Sequence, residues 1–137
     1  MKLSEGLMLA SVLPLCRGRF VSYEYKESGH FYSGCLLTNL AAVSGILKPD
    51  FLFMNQEVLD KLKEAFPILE KKIEKKDHFG LDPDGFSAYY IVNDFDNDRS
   101  VEDIILWVKE LEDQTEIENN EKEIVNVENH DHVPVSV

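Results

Sequence analysis

A chain of 137 residues, 44% of them hydrophobic, can fill one core and is too short for a second. Its 26 acidic residues against 14 lysines and arginines give a formal net charge of −12, and the largest basic grouping is Lys71-Lys72 with Lys75-Lys76. A phosphate backbone is bound by lysines and arginines that displace its counterions, so nucleic acid is excluded as the default partner. Such charge serves solubility and also suits a basic protein partner.

The acid is unevenly placed, because Leu111 to Val137 holds eight acids and a single lysine. Cys16 and Cys35 have neither the number nor the spacing of a disulfide framework or a zinc site, so reduced thiols in a cytoplasm are the simplest reading, with no metal and no cofactor. Near the N-terminus Glu5 interrupts the apolar stretch, and Leu15 is too large for the cleavage position of an export signal. No apolar run approaches the roughly 20 residues of a membrane span, so a membrane partner is not expected either.

Ser4 offers an N-cap, and Leu3, Leu7, Ala10 and Leu13 recur at helical spacing until Pro14. From Arg19 to Tyr25, Phe20, Ser22 and Glu24 alternate with Val21, Tyr23 and Tyr25, which predicts a strand; Lys26-Glu27-Ser28-Gly29 then turns the chain back through His30-Phe31-Tyr32 as a hairpin. Gly34 opens a buried helix with Leu36, Leu40 and Val43 on one stripe, Leu37 and Ala41 beside it, and Gly45 at the left-handed C-terminal position.

Asn55 caps a third helix that turns Val58, Leu59, Leu62 and Phe66 inward. Pro67 either ends that helix or starts the next, whose Ile68, Leu69 and Ile73 run into lysines suited to the negative pole of a helix dipole. Asp82-Pro83-Asp84-Gly85 is a turn signal, and Phe86 to Val92 fits a buried strand or an apolar helical turn equally. Ser100 to Asp103 resembles a capping box and opens the most legible helix, with Val101, Ile104, Ile105, Val108 and Leu111 on its apolar face and Trp107 at the border. The expected fold is therefore α+β and mainly helical, about five helices with a short hairpin and room for one further strand. A compact domain over 1–114 is expected to precede an acidic, disordered tail over 115–137.

Three groups of residues bear on chemistry. Cys35 follows Gly34 at a helix start, where backbone N–H groups and the helix dipole lower a thiol pKa, and Ser33 to Thr38 has the look of a papain-like active-site turn. A nucleophile also needs a base, for which His30 and His78 are the candidates, while a small buried cysteine explains the position without any chemistry. Asp94, Asp96 and Asp98 alternate like the opening of a calcium loop, but Arg99 stands where that loop needs Gly and Ile105 where it needs Glu, so an acidic turn before a capped helix is the better reading. Phe20, Tyr23, Tyr25, Phe31 and Tyr32 crowd the hairpin. Strand aromatics more commonly cover a core, yet Tyr23, Tyr25, Phe31 and Tyr32 also suit a recognition surface.

Leu3-Ser4-Glu5-Gly6, Gly34-Cys35-Leu36-Leu37-Thr38-Asn39-Leu40-Ala41-Ala42, Phe66-Pro67, Asn93-Asp94, Arg99 to Ile105 and Trp107-Val108 follow one another in an order that resembles a loosely defined group of small bacterial and phage proteins of no assigned activity. The resemblance spans roughly Leu3 to Leu111 and implies a compact, mainly helical protein of bacterial or phage type. The residues favour a non-enzymatic, acidic protein-interaction module, the alternative being a cysteine-dependent hydrolase or transferase built on Cys35.

Overall fold

The structure, a computed structural model, describes residues 1–27, 29–73 and 85–135, with Lys26, His30 and 122–135 described by their backbone alone. His78, Lys75-Lys76 and the Asp82-Pro83-Asp84 turn lie outside the described residues. Within them the order is α1 (Leu3–Ala10), β1 (Val21–Lys26), β2 (Gly29–Gly34), α2 (Leu36–Val43), α3 (Gln56–Ala65), a 3₁₀ turn (Pro67–Glu70), α4 (Ser87–Asp96) and α5 (Val101–Val135). This is a small, mainly helical α+β domain with one two-stranded antiparallel hairpin.

The central element is α2, which is apolar on nearly every side: Leu36, Leu37, Leu40, Ala41 and Ala42 are all buried. It packs against α1, α4 and the end of β2, while α5 closes over α1 and α4. Gly6 makes the first of these contacts close, since a Cβ there would stand 2.5 Å from Leu40 Cδ1. Asn39, fully buried on α2, donates to the carbonyls of Ala10 (3.2 Å) and Pro14 (3.0 Å), tying the exit of α1 to the core. Its Oδ1 lies against Gly34, where a Cβ would come within 2.4 Å. A glycine at that joint is therefore a packing requirement.

Several local expectations are sharpened or corrected. Asn55 Oδ1 accepts the Val58 N–H at 2.9 Å, and Ser100 Oγ accepts the Asp103 N–H at 3.1 Å, as helix caps do. Ser4 is not a cap. It lies inside α1, and its N–H and hydroxyl donate to the Glu112 carboxylate of α5 at 2.7 and 2.9 Å. An acid from another helix thus accepts from a backbone N–H of the helix start, a donor that a local cap otherwise satisfies. Pro67 starts a single 3₁₀ turn, after which the chain is extended and Lys72 bridges to Phe86.

The ambiguous run at Phe86 to Val92 is helical. In α4, Ser87, Tyr90, Ile91, Asp94 and Phe95 are buried together, the spacing of one helix face, so the further strand is not formed here. The acidic turn after it is spent on structure. Asp94 pairs with Arg99 at 2.7 Å, Asp96 accepts the Gly18 N–H at 2.9 Å, and Asp98 takes the left-handed conformation at φ 65°. Arg17 lies over the Phe95 ring, 4.1 Å from its centroid, and donates to the carbonyls of Phe95 and Arg99, a cation at the negative end of α4.

The backbone of α5 continues past Gln114 to Val135. What ends is the apolar stripe: Leu111 is buried and Ile117 is exposed. Once a helix is nucleated on a buried face, each further residue adds a hydrogen bond for little ordering cost, and Glu, Gln and Lys are good helix formers. The extension touches the body, with Lys71 Nζ donating to Thr115 Oγ1 at 3.0 Å and pairing with Glu118 at 3.5 Å.

Candidate recognition surface

The hairpin is set by its register. Val21 faces Gly34, Tyr23 faces Tyr32, Tyr25 faces His30, and Lys26 faces Gly29 across the turn. Because strand residues alternate in direction, Tyr23, Tyr25 and Tyr32 share one face, while Phe31 lies on the other face opposite Glu24. The four aromatic candidates are therefore three and one. The Tyr23 and Tyr32 rings pack at a centroid separation of 4.8 Å, close enough for a favourable tilted pair.

That face continues onto a loop that sequence reasoning did not single out. Phe51 closes a turn by donating its N–H to the Lys48 carbonyl at 3.0 Å, and Leu52 anchors the segment in the interior. Chain alternation around buried Leu52 leaves Phe51 and Phe53 outside. Phe51 stands edge-on to Tyr32 at 6.2 Å and to Phe53 at 5.9 Å. Tyr23, Tyr32, Phe51 and Phe53 thus form a continuous row, with Tyr25 further out on the hairpin. Tyr25 is 75% exposed and Phe51 62%. Phe20, Tyr23 and Phe31 are also about half exposed, so covering a core is not what these rings do. The missed signal was the exposed-buried-exposed pattern of Phe51-Leu52-Phe53 directly after Lys48-Pro49-Asp50.

Charge separates this region from the rest. Between α1 and α3 there are four basic residues, Arg17, Arg19, Lys26 and Lys48, and three acids, Glu24, Glu27 and Asp50. The remainder holds ten basic against twenty-three acidic residues. The aromatic end is close to neutral, and the excess acid belongs to the rest of the molecule.

Cys35 has a different environment from the one a nucleophile needs. It is the N-cap residue of α2, its Sγ lies 3.4 Å from Thr38 Oγ1, and it is 1% exposed. Burial pushes its pKa up, outweighing the hydrogen bonds from Thr38 and Leu37 that lower it. The lowering expected from the helix start is overturned, because the same packing that seats the thiol on the helix removes the water that would solvate a thiolate. Cys16 is also pushed up, first by burial and then by the neighbouring Cys35. The His30 side chain and His78 lie outside the described residues, so neither is placed as a base.

A groove of ≈ 340 Å³ between the N-terminus and α5 is lined by Leu3, Phe66, Pro67, Glu112, Thr115 and Asn119, among others. Among the described residues no group of three or more histidines, cysteines and acids is placed to hold a metal, and no helix is long and apolar enough to cross a membrane. Comparison of the chain with protein-family models, with curated proteins and with solved structures gives no match, so a function for this chain has to be argued from its own residues.

Proposed function

We propose that this protein is a non-enzymatic interaction module of bacterial or phage type, acting in the cytoplasm, that binds another protein through the aromatic end while its acidic helical layer favours a basic partner. The observation that carries this reading is the row Tyr23-Tyr32-Phe51-Phe53, in which Tyr23, Phe51 and Phe53 are exposed and Tyr32 is half-buried. Tyr and Phe give large contact area with few rotatable bonds, which is why such rings dominate binding energy where they are buried by a partner. The acid elsewhere contributes long-range attraction, which speeds association and weakens with salt. A Cys35-dependent hydrolase or transferase has less support, since a buried thiol with a raised pKa supplies little thiolate near neutral pH.

The test is retention of protein from bacterial extract by the immobilised full chain and by Phe51→Ala, at low and at moderate salt, with mass-spectrometric identification. A basic protein held by the native chain, released earlier at moderate salt and lost with Phe51→Ala, is the expected result. Retention that ignores Phe51→Ala, or no retention at either salt, counts against the reading.

A further inference from the structure

We propose that Cys16 and Cys35 form a reversible dithiol pair that exchanges with low-molecular-weight disulfides, its oxidised form tying the exit of α1 to the joint between β2 and α2. The proposal does not depend on what the aromatic end binds.

The backbone brings the two residues together. After α1 the chain returns along the base of β2, where Leu15 bridges in parallel to Gly34. The Gly34 N–H donates to the Pro14 carbonyl at 3.1 Å, and the Cys16 N–H donates to the Gly34 carbonyl at 3.0 Å. The acceptor of the second bond belongs to the peptide that joins Gly34 to Cys35. One step along both chains from the bridge, Cys16 therefore stands beside Cys35. Bridged chains run about 4.8 Å apart, within the about 4.4–6.8 Å that a disulfide spans between Cα atoms.

The same point is fixed from two more directions. Asn39 donates to the Pro14 carbonyl at 3.0 Å, and the Cys35 N–H donates to the Phe20 carbonyl at 3.0 Å. The thiols also feel each other, since Cys35 is, after burial, the second cause that raises the Cys16 pKa. Each sulfur has only weak contacts to give up: Cys16 Sγ lies 3.5 Å from the carbonyls of Arg19 and Ser33, and Cys35 Sγ 3.4 Å from Thr38 Oγ1. Access divides the roles. Cys16 is half-buried and can meet a small disulfide, whereas Cys35 is buried and can meet only Cys16.

The exchange runs in two steps. The Cys16 thiolate attacks one sulfur of the external disulfide, whose S–S bond breaks. A mixed disulfide forms on Cys16, and the first small thiolate leaves and takes a proton from solvent. Cys35 then gives its proton to solvent, and its thiolate attacks Cys16 Sγ and expels the second small thiolate. The two cysteines lose two electrons and two protons, and the external disulfide gains them as two thiols. The new bond closes the chain from Cys16 through the hairpin to Cys35 into a ring, which restricts the unfolded chain more than the folded one.

The test equilibrates the full chain in mixtures of reduced and oxidised glutathione, once folded and once in urea that unfolds it. Free thiols are then alkylated and the disulfides located by peptide mass spectrometry. The effective concentration of the two thiols is the square of reduced over oxidised glutathione at half oxidation. It should be at least about tenfold higher in the folded chain than in urea, with the bond mapped to Cys16 and Cys35 within one chain. The oxidised chain should also unfold at a higher urea midpoint than the reduced one, and dithiothreitol should reverse the shift. An effective concentration no higher when folded, a glutathione that stays on Cys16 without passing to Cys35, a bond between two chains, or a lower midpoint on oxidation overturns the proposal.

Discussion

The same residue types are used in opposite ways at the two ends of this molecule. In α4 and α5, Tyr90, Phe95 and Trp107 are buried, Tyr90 edge-on to Trp107 at 6.4 Å. In the hairpin and the loop before α3, Tyr23, Tyr25, Phe51 and Phe53 face water. A helix among other helices has a neighbour on its apolar face, so rings at helical spacing become core. The hairpin instead leaves Tyr23 with about half of its surface in water and Tyr25 with most of it. Aromatic content therefore says little until the element that presents it has been placed.

That contrast predicts a large difference between two substitutions of one apolar residue by alanine. Leu40→Ala removes side-chain atoms from the fully buried contact of α1 with α2 and should cost ~2–5 kcal/mol in urea unfolding. Phe51→Ala, at an exposed ring, should cost no more than about 0.5 kcal/mol. Comparable losses would show that the aromatic row is part of the folding core.

Where the sequence was legible, one local signal had no competitor. The stripe Leu36-Leu40-Val43, the Asn55 cap, the Lys26-to-Gly29 turn and the face opened by Ser100 all appear where their patterns put them. It was illegible where a partner distant in sequence decides. Ser4 looks like a cap because its neighbours do not show Glu112, 108 residues away, taking its two donors. Phe86 to Val92 satisfies two periods, and only packing among α2, α5 and the 3₁₀ turn selects the helix. Half of the aromatic row was not legible, because the exposure of Phe51 and Phe53 depends on Leu52 finding the core. For Cys35 the helix start was legible, but the choice between a lowered thiol pKa and a small buried cysteine was not, since the burial that favours the second is a tertiary property.

Less is expected from shortening α5, and the two cuts should differ. Ending the chain after Gln114 removes the Lys71 contacts to Thr115 and Glu118 and one wall of the groove at the N-terminus, so a loss of about 1 kcal/mol is expected in thermal unfolding. Ending it after Glu121 keeps those contacts and should leave stability nearly unchanged, while lowering the net negative charge and with it the salt dependence of partner binding. Equal stability after both cuts would support a domain boundary at Gln114, where the apolar pattern ends.

The smallest effect is expected at the joint between the two regions, where Cys35 separates hairpin from helix. Burial raises the pKa of its thiol in the fold, so the unfolded chain releases that proton first as pH climbs. Below the ordinary thiol range both states are protonated and the contribution to stability is complete. Above it the unfolded state is favoured by ionisation while the fold still holds a neutral thiol, and stability declines until the folded pKa is passed. Cys16 is a second thiol in the chain, so the useful quantity is the difference between the native chain and Cys35→Ala. Urea midpoints from about pH 7 to about pH 10 should fall more steeply for the native chain, although Cys35→Ala starts lower because it leaves a small cavity. Parallel curves would mean that water reaches the thiol after all, and with solvation restored the alternative reading of Cys35 as a nucleophile would regain its footing.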